Sequence, residues 1–242
     1  MNEAETKTEL TDECNLSCLK VKLYKFRPLA NKQDFKRLKS ILKTGKFWCS
    51  KFSELNDPME GSFTASNAEI IDSIYNEKEI YKICSFSNEE AFSNPIMWGH
   101  YANGFKGVVI EVEISSAKVK RIEYVDEIPS LEAFDPQEKV EKILTTKLLP
   151  WKHECEYRFL ERGNTNRIKI GKITALGFGD PYERARNKEN IVRNSSVLKE
   201  YLELKNEILE IVKDLEVYSV KIENCKVVKK IFPNKMETHE RS

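Results

Sequence analysis

The chain has 242 residues, 40% of them hydrophobic and 33% charged, with 40 Lys and Arg against 39 Asp and Glu for a net charge of +1. That balance excludes a global basic field for nucleic acid and the acidic bias of a disordered, solvating chain, and the apolar share is enough to build a core. Six scattered cysteines (Cys14, Cys18, Cys49, Cys84, Cys155, Cys225) show no secreted disulfide framework and read as reduced thiols in a cytoplasm.

Taken in order, residues 1–18 are polar and read as a flexible N-terminal segment. No apolar run approaches a membrane span, and residues 1–20 lack the apolar centre of a signal peptide. Residues 21–26 alternate as a first strand, stopped by Arg27-Pro28. Asn31 is placed to cap a helix with Phe35, Leu38, Ile41 and Leu42 on one stripe, and Gly45 ends it. Residues 46–52 predict a second strand. The following Asn56-Asp57-Pro58 is turn chemistry, and the loop gathers Asn56, Asp57 and Glu60.

Residues 67–79 predict a helix through Ile70, Ile71 and Ile74, and residues 80–87 a strand. Asn94-Pro95 starts a short helix that crowds Trp98, His100 and Tyr101 into one turn. His100 reads either as an acid/base or ring-stacking group or as a structural histidine, and the structural reading is the one favoured. The apolar run Val108-Val109-Ile110 predicts a strand buried on both faces and therefore central. Residues 118–126 predict one further strand. Asp135-Pro136-Gln137-Glu138 opens a helix whose buried stripe is Val140, Ile143, Leu144 and Leu148, ended by Pro150.

The densest stretch runs from Trp151 to Leu160. From Glu154 onward its alternation is that of a strand, with Glu154, Glu156 and Arg158 on one face and Cys155, Tyr157 and Phe159 on the other. Two acids so spaced repel each other, which asks for an arginine and a wet cleft around them. Short strands follow at residues 168–170 and 173–179, then a long helix at about 194–215, then strands at 217–220 and 226–231. The tail from Pro233 is polar. One domain over residues 19–233 is expected, with residues 234–242 as tail. Consecutive strands without intervening helices predict an α+β fold with mixed, largely antiparallel sheets and flanking helices. Glycine-rich dinucleotide and phosphate loops, H-E-x-x-H and G-x-S-x-G are all lacking from the sequence.

Four stretches in order carry a resemblance: Tyr24-Lys25-Phe26-Arg27; Asn56-Asp57-Pro58-Met59-Glu60; Met97-Trp98-Gly99-His100-Tyr101-Ala102 with Lys106-Gly107 behind it; and Glu154-Cys155-Glu156-Tyr157-Arg158. Together, over roughly residues 21–185, they resemble a widespread bacterial and phage family of unknown function linked to abortive infection and phage defence. More distantly, the opening strand, helix and strand resemble the start of the ADP-ribosyltransferase fold. That resemblance implies NAD as the substrate and no metal. It implies Lys25 or Arg27, with Tyr24, on the NAD phosphates or ribose, and Ser50 bordering the nicotinamide pocket. It implies Glu156 as the catalytic acid, Glu154 beside the acceptor and Arg158 as a planar fork for carboxylate or phosphate. Asn56, Asp57, Trp98, His100 and Tyr101 would complete the binding surface. The chain departs from that fold's pattern at Lys25, where His or Arg is usual, and at Trp48-Cys49-Ser50, which replaces a tyrosine.

Such a carboxylate stabilises the oxocarbenium-like charge that develops as the nicotinamide–ribose bond breaks. The acceptor would be a protein or a nucleic acid. Two other readings stand beside this one. A magnesium-dependent nuclease would use Asp57, Glu111 and Glu113 with Lys106. A non-enzymatic sensor or interaction module in phage defence would use the aromatic and charged residues as a recognition cleft, with the Glu154–Arg158 stretch as scaffold.

Overall fold

The computed structural model describes residues 19–57, 59–65, 68–131, 136–179, 196–224 and 226–231. The predictions for the N-terminal segment, the Asp135 cap and the C-terminal tail lie outside these residues. The fold is α+β, as the sequence predicts. Strands β1 (Lys20–Arg27), β3 (Tyr81–Ser87), β4 (Val108–Ser115), β5 (Val119–Arg121), β8 (Glu156–Arg162), β10 (Lys172–Gly179), β11 (Glu216–Glu223) and β12 (Lys226–Ile231) form an eight-stranded mixed sheet. Its order is β12-β11-β10-β4-β1-β3-β8-β5, and β10–β11 is a parallel pair. The expected central position of the Val108 strand is met, since β4 stands fourth of the eight and is buried over its first five residues. Two small sheets pair β2 (Phe47–Trp48) with β9 (Arg167–Ile168), and β6 (Glu123–Val125) with β7 (Thr146–Leu148). Among the described residues no helix is long and apolar enough to cross a membrane.

The described residues group into two compact units. The first takes residues up to Lys25, Thr44–Ala91 and Val112–Ile173; the second takes Phe26–Lys43, Phe92–Glu111 and residues from Thr174 onward. In the first unit, α2 (Ala68–Ile80) and α5 (Pro136–Leu144) lie with β3 around one apolar cluster. Ile74, Tyr81, Ile83, Leu131, Val140, Ile143 and Leu144 are buried there, and Phe52, Leu55 and Phe63 pack against them. Lys78 is buried beside this cluster. Its ammonium donates to the Gly61 carbonyl at 2.9 Å and lies 4.0 Å from the Phe52 ring and 4.3 Å from the Tyr75 ring. Burial pulls its pKa down to about 8, against the opposing pull of the Glu79 carboxylate. The contact ties α2 to the loop that carries Glu60.

In the second unit, α1 (Lys32–Thr44) starts where its sequence predicts: Asn31 Oδ1 accepts the Asp34 N–H at 3.0 Å. Gly45 follows at φ +67°, the left-handed conformation that ends helices. Helix α4 (Pro95–Tyr101), which follows the four-residue α3 (Glu89–Phe92), is capped by Asn94, which accepts from Ile96 N at 2.9 Å. Its Trp98 is fully buried. It donates to the Phe92 carbonyl at 2.8 Å, stacks on Phe105 at 5.1 Å and meets Phe26 edge-on at 5.3 Å. Among the described residues the last helix is α6 (Ser196–Ile211), which stops before the predicted Leu215; Ile208 is buried on it and Val212 just past its end.

Gly107 opens β4 under a severe constraint. A Cβ there would stand 2.3 Å from the Arg27 carbonyl oxygen and 2.8 Å from Ala102 backbone atoms. Backbone cannot rotate aside as a side chain can, so Gly107→Ala is expected to cost about 2–3 kcal/mol in urea unfolding. Gly99→Ala, where nothing lies within 4 Å, serves as the control. A Gly107→Ala cost under about 0.5 kcal/mol, the range of ordinary surface changes, would refute the close approach.

Several local expectations are corrected. Of residues 46–52 only Phe47–Trp48 is strand, because Phe52–Glu54 turns into a 3-10 helix. Residues 118–126 split at Ile122, since β5 pairs with β8 while β6 leaves to pair with β7. Helix α5 stops at Leu144, and Leu148 lies in β7. The stop is made by two consecutive threonines, whose hydroxyls bond back to the Glu141 and Lys142 carbonyls at 2.8 and 2.7 Å.

Candidate functional site

The densest charge in the sequence becomes a buried network in the first unit. The approach differs from the predicted strand. Leu149–Glu154 is a 3-10 helix and Cys155 stands at φ +42°, so β8 begins only at Glu156. A non-glycine residue in the left-handed region costs on the order of 1–3 kcal/mol and is held by its surroundings. Here the Cys155 N–H bonds to the Lys152 carbonyl and its carbonyl accepts from Asn88 N, both at 3.2 Å. The turn delivers Glu154 from the helix and Glu156 from the strand into the same place.

Arg158 is 1% exposed and Glu156 2% exposed. The Arg158 fork grips Glu156 with both ends: Nε to Oε1 at 2.7 Å and Nη2 to Oε2 at 3.1 Å. Its Nη1 donates to the Leu144 carbonyl at 2.7 Å and lies 2.6 Å from Glu60 Oε1. That last contact is a close ion pair between two enclosed groups. Lys147, 8% exposed, lies 2.6 Å from Glu154 Oε2, 3.0 Å from Glu156 Oε2 and 3.6 Å from Glu60 Oε2. Tyr124 accepts the Glu156 N–H at 2.9 Å. Among the described residues, three carboxylates share these two cations.

Burial alone would raise the Glu156 pKa, but the charges of Arg158 and Lys147 and the hydrogen bonds from Arg158 and Ser85 outweigh it and hold the group down to about 2. Burial would lower Lys147 and Arg158, and the acids around them push both upward instead. Burial raises the Tyr124 phenol, and the Glu156 and Glu154 carboxylates add to that.

The wet cleft expected around these acids is therefore corrected to an enclosed ion cluster. The network brings together Glu154, Glu156 and Arg158 from the predicted set. It adds Glu60 from the turn loop, which is buried although the loop's Asn56 and Met59 are exposed. Lys147 was missed by sequence reasoning. Its signal was a lone lysine between Leu144 and Leu148-Leu149, where an unpartnered charge does not belong. Asp57 is buried in the same loop: Oδ1 accepts from Met59 N at 2.9 Å, and Oδ2 is enclosed without a hydrogen bond among the described residues.

The other predicted residues fall elsewhere. Tyr24 is buried on β1 and its hydroxyl donates to Glu89. Across the strands Tyr24 stands opposite Ser87, and Ser87 stands opposite Glu156. Lys25 donates to the Ser85 carbonyl at 2.7 Å. Ser50 forms a two-bond backbone bridge to Ile83. Arg27, Trp98, His100 and Tyr101 belong to the second unit. Trp98 is corrected from a ring-stacking platform to a core residue, because neighbouring aromatics already cover it. His100 is exposed and its ring lies 6.3 Å from that of Tyr101.

Of the acids considered for magnesium, Glu111 is buried and accepts from Tyr218 at 2.6 Å and Lys229 at 3.1 Å, and Glu113 pairs with Lys20 at 3.7 Å. Among the described residues no group of three or more His, Cys, Asp or Glu side chains is arranged to hold a metal ion. Compared with protein-family models, curated proteins and solved structures, the chain finds no match.

Proposed function

We propose that the chain is a non-enzymatic recognition module of the defence-linked kind its four motifs resemble, and that the Glu154–Arg158 stretch is its scaffold. One observation carries this reading. Glu156, the acid that NAD chemistry would need at the nicotinamide ribose, is 2% exposed, with both carboxylate oxygens engaged by Arg158 and Lys147. A carboxylate so enclosed stabilises neighbouring cations and not a developing charge on a ligand.

A second reading, NAD-dependent ADP-ribosyl transfer or NAD hydrolysis, has its own support. Tyr24, Ser87 and Glu156 form one cross-strand row over β1, β3 and β8, and Glu156 is held ionised, as an oxocarbenium-stabilising acid must be. It requires the Glu60 loop to move away.

The test is a thermal shift of the purified protein with NAD, alongside an assay for released nicotinamide. A ligand at a hundredfold excess over its dissociation constant adds about 2.7 kcal/mol, or several degrees for a chain of this size. The scaffold reading expects no shift and no nicotinamide. A shift or turnover present in the wild type and abolished in Glu156→Gln would overturn it in favour of the transferase.

A further inference from the structure

Two thiols outside the ion network stand in an unusual relation. Ser50 and Ile83 exchange both backbone hydrogen bonds, each at 2.8 Å, as an antiparallel bridge. The neighbouring positions, Cys49 and Cys84, are therefore directly opposite each other. The Cys49 N–H points away from Cys84 to the Asn166 carbonyl at 2.7 Å, which makes theirs a non-hydrogen-bonded pair. Such pairs have the closest side chains in an antiparallel ladder, with Cα atoms about 4.5 Å apart. Disulfides span about 4.4–6.8 Å between Cα atoms. The Cys49 thiol donates to the Phe47 carbonyl at 3.9 Å, and both thiols are reduced and fully buried.

We infer that Cys49 and Cys84 are a reversible dithiol/disulfide site, oxidised by a small-molecule disulfide of the glutathione type. Ser50 belongs to no extended strand, so its bridge is the element whose opening admits the oxidant. One thiol loses its proton and attacks the small disulfide, forming a mixed disulfide and releasing one small thiol. The second cysteine then attacks the mixed bond, the Cys49–Cys84 bond forms, and a second small thiol leaves. Two protons and two electrons pass to the oxidant. The covalent loop so closed contains Glu60 and Lys78, so the redox state sets how firmly the Glu60 loop is tied to the ion network. The inference holds under either functional reading.

The test incubates the full-length native protein in glutathione buffers from reducing to oxidising, quenches by alkylation and maps the peptides. A cross-linked peptide pair containing Cys49 and Cys84 is expected in the oxidising buffers, lost again on reduction. The melting temperature of the oxidised form should rise by roughly 5–10 °C, a rise not seen in Cys84→Ser. If that variant does not fold, the peptide map of the wild type decides alone. Cys49 and Cys84 recovered only as free thiols or glutathione adducts, never joined, would overturn the proposal.

Discussion

Arg158→Met is expected to destabilise the protein by about 3–5 kcal/mol. The substitution keeps much of the side-chain length and removes the only fork in the network. Glu60, Glu154 and Glu156 then lose one of the two cations they share and keep Lys147, and the Leu144 carbonyl loses its 2.7 Å donor. Buried ion clusters of this kind are costly to break on one side, because the stranded charge cannot return to water, and much cheaper to replace outright. A double-mutant cycle in urea therefore checks the cause. Glu156→Leu added to Arg158→Met should recover a large part of the loss, since it removes the carboxylate the arginine was holding. Additive losses in the double variant would show that the two side chains do not act as a pair.

The second large effect is acid sensitivity. The Glu156 pKa is depressed in the folded protein to about 2, from an ordinary 4.5. A depressed carboxylate binds fewer protons in the folded than in the unfolded chain, so its stabilisation is complete above pH 4.5. It is lost as the pH falls from 4.5 towards 2, by roughly 3 kcal/mol in all. Urea midpoints across this window should fall steeply in the wild type and more gently in Glu156→Gln, which has no carboxyl to protonate. Equal slopes in the two proteins would remove Glu156 as the acid-labile group. Lys147 and Arg158, both shifted upward, add no titration in this window.

These two experiments bear on function as well as stability. An acid that serves catalysis is commonly replaced by its amide with the fold intact. A scaffold acid is not, and Glu156→Gln should show its loss in the unfolding curve whether or not NAD is present.

The features legible in the sequence alone are local ones. The caps at Asn31 and Asn94 and the glycine after α1 were legible because each is satisfied within one turn of chain. The central strand was legible because burial on both faces leaves an unbroken apolar run. The shared destination of Glu154, Glu156 and Arg158 could also be read, although by a route other than the strand that was expected. The groups that stand opposite them come from distant parts of the chain. Lys147 comes from a strand read as helix, and Glu60 from a loop read as a turn, and together they convert an expected wet face into an enclosed network. Trp98 looked the same in sequence whether it covered a ligand or a core, and only Phe26, Phe92 and Phe105 around it settle which. The opposed Cys49 and Cys84 thiols lie 35 positions apart and share no sequence signal. The physical reason is common to all of these. Periodicity reports which way a side chain points, whereas its ionisation, burial and chemistry depend on partners brought from distant parts of the chain.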